Sequence, residues 1–431
     1  MKAITLPLTN VHAKGNYTTT LYLGSQRKAV NLMVDSGSST LVVKPGSYRV
    51  ESDAALRATP VVQEVNYGIG GWACALVYTQ LSFSQDGKEA FVIDTSVAVV
   101  ESDPMNMFAC ADGILGLAFA HLNKSFDLSE YFADSKTNPP LSYPWPFQIE
   151  KDIKSTKNLL PPKFSNLRAF KSFLWRYPEH DVTPLFSQIA DRHLVANKFA
   201  FYAKRSSIHV AELGLNIIEG EPKCFADDPL NLGLLILGGG EEQTHLYRGE
   251  FKAVKVFNDV YYNVNLISVR VEGGDAIQAE PLASKDKKNY YTNAIMDTGS
   301  TLTVLPHTLY SVLIAQLSSL NPEFSSMLEP FLNIEQQYIG IDSDKLNLAD
   351  WPNIEFIFEG ESGEAITLTC KPENYWQVNT PELGKACFKL LGQLPNWPNQ
   401  TIVGLPLLTN YFVVFDRSAK VSGVVKFAKQ K

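Results

Sequence analysis

The chain has 431 residues, 45% hydrophobic and 19% charged, with a formal net charge of -7 and a pI near 5.6. That length accommodates two hydrophobic cores, and an acidic balance with no compensating Lys or Arg block argues against a nucleic-acid surface and disfavours an acidic substrate. No run approaches the roughly 18 apolar residues of a membrane span, so a globular protein without nucleic-acid or membrane partners is expected.

Met1 to Asn10 alternates apolar and polar residues. This reads as a first strand and not as the continuous apolar core of a secretion signal, which places the protein in the cytoplasm. Asn16 to Leu23 is rich in β-formers and ends at Gly24, predicting a second strand. Leu32-Met33-Val34-Asp35-Ser36-Gly37-Ser38-Ser39-Thr40-Leu41-Val42-Val43 then sets one carboxylate and several hydroxyls on a turn between two apolar runs. The runs predict buried strands, and glycine lets the backbone turn sharply beside the acid.

After the Lys44-Pro45-Gly46 turn, two alternating arms surround Tyr67-Gly68-Ile69-Gly70-Gly71. They predict a β-hairpin with a glycine-rich tip, able to move and to cover a cleft. Asp112-Gly113-Ile114-Leu115-Gly116-Leu117 follows; glycines in such a strand let another backbone pass closely. Between 120 and 182 lie Asn138-Pro139-Pro140, Tyr143-Pro144-Trp145-Pro146-Phe147, Pro161-Pro162 and Phe170 to Tyr177. Proline and aromatic density there suggests a surface-packed loop, read as structural filler ahead of a partner-binding or cleft-shaping role. Thr183-Pro184 starts a helix whose face comprises Leu185, Phe186, Ile189 and Leu194. Strands resume from Phe199, and Ser284 to Asn289 reads as a charged loop.

Ala294-Ile295-Met296-Asp297-Thr298-Gly299-Ser300-Thr301-Leu302-Thr303-Val304-Leu305 repeats the first acidic turn almost position for position, and Ile402-Val403-Gly404 repeats the apolar-Gly element. A single Asp-x-Gly is ordinary turn chemistry. Two matched copies in the same order imply two similar halves related by a pseudo-two-fold axis, with both carboxylates meeting across it. Two carboxylates about 3 Å apart share one proton. The ionised member then takes a proton from water while the protonated member donates to a carbonyl oxygen, an arrangement for hydrolysing an amide.

These residues resemble the pepsin-like aspartic proteases. Asp35-Ser36-Gly37-Ser38 and Asp297-Thr298-Gly299-Ser300 are similar to the paired catalytic loops, Tyr67-Gly68-Ile69-Gly70 to the flap, and Ile114-Leu115-Gly116 and Ile402-Val403-Gly404 to the paired apolar-Gly motifs. Thr183 to Phe186, Leu235 to Gly239, Tyr261 to Val269 and Tyr411 to Asp416 extend the likeness over nearly the whole chain.

The resemblance implies an all-β, bilobal fold with a central cleft, its lobes at 1–196 and 197–431 and an insertion at about 120–182. It makes Asp35 and Asp297 the catalytic pair. Ser36 and Thr298 lock the loops by hydroxyl-to-backbone bonds, and Gly37 and Gly299 complete the turns. Ser38 and Ser300 are placed to hydrogen-bond the outer carboxylate oxygens, while Met33, Ile114 and Ile295 line apolar substrate pockets. Tyr67 and Gly68 belong to the flap. Polypeptide substrates and pepstatin-type inhibitors are the implied partners of a monomer, with no cofactor and no metal.

Val42 stands where the family usually has tryptophan. Only 34 residues precede Asp35, and the five cysteines are widely spaced without Cys-x-x-Cys pairs. They read as free thiols, with Cys74 and Cys110 in the core. Absence of a signal, pro-segment and disulfide pairing resembles the intracellular bacterial, shewasin-like pepsin homologues, which need no zymogen step. Actin-like and sugar-kinase ATPases also carry two Asp-x-Gly turns, but they interleave long helices that this chain does not predict. An inactive binding module of the same fold would typically lose one acid or the flap, and both are present here.

Overall fold

The computed structural model describes residues 3–67, 70–101, 106–119, 122–149, 163–164, 166–217, 225–393, 397–419 and 422–431. With 40% strand and 19% helix, it is dominated by large sheets, as the all-β expectation requires. Two compact units emerge, one formed by Met1–Thr19, Met33–Gly37 and Ala190–Lys431, the other by Thr20–Leu32 and Ser38–Ile189. The division differs from a simple cut near 196. The first strand and the first acidic turn make their hydrogen bonds with later segments, and so belong with them.

In the larger unit the strands Tyr247–Lys255, Val424–Gln430, Tyr411–Asp416, Lys198–Ala203, Leu232–Leu237 and Ile4–Ala13 lie side by side, each antiparallel to the next. Register places Phe199 opposite both Leu237 and Phe415, and the rings of Phe199 and Phe415 stack with centroids 4.7 Å apart. A five-stranded sheet follows the order Asn263–Val264, Ala294–Met296, Thr401–Val403, Thr303–Leu305, Leu390–Gly392. It holds the second acidic turn: Ala294–Met296 runs parallel to Thr401–Val403, with Ile295 opposite Ile402. A short helix, Lys287–Tyr290, occupies part of the charged segment expected to be a loop.

In the smaller unit the strand order is Gly113–Gly116, Leu41–Val43, Lys88–Val100, Gly70–Gln85, Arg57–Tyr67, Ser125–Asp127. The hairpin predicted around Tyr67 is formed by Arg57–Tyr67 and Gly70–Gln85, with Tyr67 paired to Gly70. Its side chains Val62 and Ala73 join a core with Phe126, Leu128, Phe132, Phe147, Phe170 and Leu174. The segment after 120 is therefore a packed aromatic module and not surface filler. Phe170 is fully buried and lies 4.8 Å from Phe164 and 5.0 Å from Phe147, ring centre to ring centre. The later helix spans Leu185–Asp191 and ends before Leu194. Cys74 is buried, whereas Cys110 is exposed and not a core residue.

Candidate active site

Asp35 ends the strand Lys28–Asp35, and Asp297 immediately follows Ala294–Met296. Val34, Ala294 and Met296 are fully buried, which anchors each strand and fixes the point where its carboxylate leaves the sheet. Met33–Gly37 and the Asp297 turn belong to the same compact unit. Their contacts repeat with two-fold regularity. The Ser36 hydroxyl donates to the Met296 carbonyl at 3.0 Å and accepts from the Thr298 N–H at 2.9 Å. The Thr298 hydroxyl donates to the Val34 carbonyl at 2.9 Å and accepts from the Ser36 N–H at 2.9 Å. Both side chains are fully buried, so the four bonds form without competition from water.

The glycines of the turns are required by closeness. A Cβ on Gly37 would stand 2.7 Å from the Asp297 carboxyl carbon, and one on Gly299 would stand 2.6 Å from that of Asp35. Each turn thus leaves room for the acid of the other. Gly37 N–H donates to Asp35 Oδ1 and Gly299 N–H to Asp297 Oδ1, both at 2.8 Å.

The two carboxyl groups face each other across the turns, each with the other half's glycine close against it, and two acids in that position share one proton more cheaply than they both ionise. Asp297 keeps a partly accessible edge, yet protein surrounds it closely enough for lost hydration to push its pKa well above the carboxylate range. The charge of Asp35 pushes the same way, against the N–H groups of Gly299 and Gly37. The proton belongs to the pair. A dyad holding one proton offers a base and an acid at once, which suits attack by water on a carbonyl.

Ser300 departs from expectation, because its hydroxyl donates to the Leu302 carbonyl at 2.7 Å. Ser38 is buried and its hydroxyl makes no hydrogen bond among the described residues. Neither relieves the charge on the acids. Instead, the backbone of Ser38 and Ser300 joins each turn to the apolar-Gly strand of its own half. Ala118 N–H donates to the Ser38 carbonyl and Leu405 N–H to the Ser300 carbonyl, both at 2.8 Å. Cβ atoms on Gly116 and Gly404 would collide with these crossing backbones, at 2.8 Å from Ser38 O and 2.6 Å from Ser300 O.

Met33, Ile114 and Ile295 are buried strand residues; Ile114 pairs with Val42, and Ile295 with Asn263 and Ile402. Tyr67 ends its strand, while Gly68 and Ile69 lie outside the described residues. Tyr261 is a residue that sequence reasoning missed as part of the site. Burial first, then the charges of Asp297 and Asp35, push its hydroxyl up to about 12, so it stays protonated beside the dyad. The motif strand starting at Tyr261 was the available signal. Residues 227–429, which include the second acidic turn, match the family model described as eukaryotic aspartyl protease.

Proposed function

We propose that in this chain, which belongs to the pepsin-like aspartic proteases and is an aspartic-type endopeptidase, Asp35 and Asp297 form the pair that hydrolyses polypeptides. The observation that carries the reading is a pair of acidic turns locked together by reciprocal Ser36 and Thr298 bonds, each leaving at its glycine the room that the other's carboxyl group occupies. The ionised acid removes a proton from water as its oxygen attacks the peptide carbon, and the protonated acid donates to the carbonyl oxygen. Collapse of the resulting diol breaks the C–N bond, with a proton passing to the leaving nitrogen.

Activity requires one proton on the pair, so kcat/KM falls as pH rises through the pair's upper value. The need for that proton keeps the optimum on the acid side of the pair's upper value, which the raised Asp297 shifts upward with no Ser38 or Ser300 hydroxyl acting against it. Its alkaline limb lies above the ordinary aspartate value of about 3.9. Met33, Ile114 and Ile295 present apolar walls to substrate, and a filled apolar pocket favours Leu, Phe or Met beside the cut by about 1–3 kcal/mol. By the family resemblance the hairpin carrying Tyr67 is assigned to the flap, and pepstatin-type inhibitors are expected to compete with peptide. A reducing compartment, the cytoplasm, suits a chain whose Cys74, Cys110, Cys370 and Cys387 are free thiols.

Purified protein incubated with a denatured protein between pH 3 and 8, with and without pepstatin, tests this reading. Pepstatin-sensitive cleavage is expected, reduced about 10³-fold or more in both D35N and D297N, because the two acids work as one unit. Near wild-type turnover in either variant would overturn the assignment, as would an alkaline limb at or below the ordinary aspartate value.

A further inference from the structure

The hairpin strand Arg57–Tyr67 is not a free arm for most of its length. Val61, Val62 and Gln63 pair with Asp127, Phe126 and Ser125, and Glu64 N–H donates to the Lys124 carbonyl at 2.8 Å. The far end of the aromatic module returns to this strand, with His180 N–H on the Ser125 carbonyl at 2.8 Å and Asp127 N–H on the Pro178 carbonyl at 2.9 Å. Between these ends the helix Leu167–Leu174, capped by Asn166, buries Phe170 and Leu174 against Val62 and Ala73. The same helix and the residue after it reach Glu64, three positions before Tyr67. Lys171 Nζ stands 3.4 Å from Glu64 Oε1, and Trp175 Nε1 donates to Glu64 Oε2 at 2.9 Å.

Glu64 is buried, with its side chain only 7% exposed, and that of Lys171 is 14% exposed. A carboxylate in that setting depends on its cation and its donor, since removing one partner of a buried pair leaves an uncompensated charge that seeks water. Across the hairpin, Val65 pairs with Trp72, whose ring stacks on Phe108 with centroids 4.9 Å apart. Both strands are thus held at the base of the tip, one by a charge and one by a ring.

We propose that Lys171 and Trp175 are positioning residues for peptide hydrolysis: by holding Glu64 they fix the course of the strand Arg57–Tyr67 and with it the backbone of Tyr67. The 122–180 module is on this account a buttress for the tip. The proposal rests on the reading of this hairpin as the substrate-covering flap. It gives the module a role in KM and not in the chemical step.

The test combines peptide kinetics with amide hydrogen exchange in K171M, K171R, W175F and the E64Q/K171M double variant. K171M takes the cation from beside a buried carboxylate, so exchange across 65–72 should speed up while the strand Lys88–Val100 is unchanged, and KM should rise about tenfold with kcat within about twofold. W175F removes one hydrogen bond to a charged group, and a KM rise of about threefold is expected. K171R keeps the charge pair and should stay near wild type, and E64Q/K171M, with both charges gone, should recover most of the loss. Unchanged tip exchange in both K171M and W175F overturns the clamp, and faster exchange with unaltered KM overturns its role in positioning substrate. A wild-type protein that cleaves no peptide overturns the flap reading beneath it, a failure told apart because exchange still reports on the clamp.

Discussion

Ser36 and Thr298 show how a hydroxyl, by fixing backbone, sets the geometry of the acid one residue away in sequence. T298V keeps the shape of the side chain but leaves the Val34 carbonyl and the Ser36 N–H, both paired to Thr298, without partners. Burying two unsatisfied backbone groups costs about 2–4 kcal/mol, which chemical denaturation reads directly. T298S keeps the hydroxyl and should lose less than half as much.

Asp297 carries a second consequence at this scale. Its pKa is raised in the folded protein, so its contribution to stability is fully present below the unfolded value of about 3.9 and declines as pH rises through the folded one. D297N removes that dependence. The variant should gain melting temperature relative to wild type at pH 7, and the gain should vanish near pH 3.

The doubled Asp-[Ser/Thr]-Gly-Ser turn was legible because a repeat of residue types forces a repeat of geometry, and the need for glycine at 37 and 299 was written in the motif. The fate of the Ser38 and Ser300 hydroxyls was not, since a hydroxyl chooses among several acceptors only once the loop is built. Tyr261 was hidden for a related reason: one of two adjacent tyrosines in the turn before Asn263–Val264 feels the charge of the acids only once residues distant in sequence are brought together.

At the scale of elements, the aromatic module after residue 120 is where sequence reading was least informative. Leu167, Phe170, Phe173 and Leu174 follow a helical period, but Phe147 and Phe164 stand outside it, so nothing in their order reveals that the four phenylalanines meet. By contrast, the strand Asn16–Leu23 has the bounds its β-formers and Gly24 predict. F170A would leave a void in the middle of the module, where the ring also lies 5.7 Å from Trp145. Such truncations cost about 3–5 kcal/mol. Limited proteolysis with mass spectrometry should find new cuts between 122 and 180 in this variant under conditions where the Lys88–Val100 strand remains protected.

For the whole molecule, acid is a demanding solvent, and two carboxylates show how the fold meets it. Burial would raise Asp416, but Lys426 at 2.7 Å and the Ser418 hydroxyl at 2.6 Å outweigh that and lower it. Asp53 is lowered in the same way, against its burial, by Ser25 and Ala55 N–H groups and the Tyr48 and Thr79 hydroxyls. Depressed groups of this kind keep their stabilising bonds above the unfolded pKa and lose them only as pH falls through the lower folded value. Asp297 works in the opposite sense, and both signs favour a protein that remains folded where its proposed chemistry operates.

The strand Ile4–Ala13 lies along Leu232–Leu237 from Ile4 opposite Leu237 to Thr9 opposite Leu232. Expression of 190–431 by itself would therefore leave that edge bare, with a row of unsatisfied amides beside an apolar run, and would also strip Thr298 of Val34 and Ser36. Bare edges recruit other chains. The isolated piece should self-associate, seen as a rise in mass by light scattering, and adding a peptide spanning 1–19 should compete with that assembly. A monodisperse, folded 190–431 fragment would show instead that the opening strand is an ornament. If the association occurs, the order of synthesis has a meaning of its own: the ribosome releases the edge's cover long before the edge exists, so the strand Ile4–Ala13, with Asn16–Leu23 on one side, must keep its other side open for some two hundred residues.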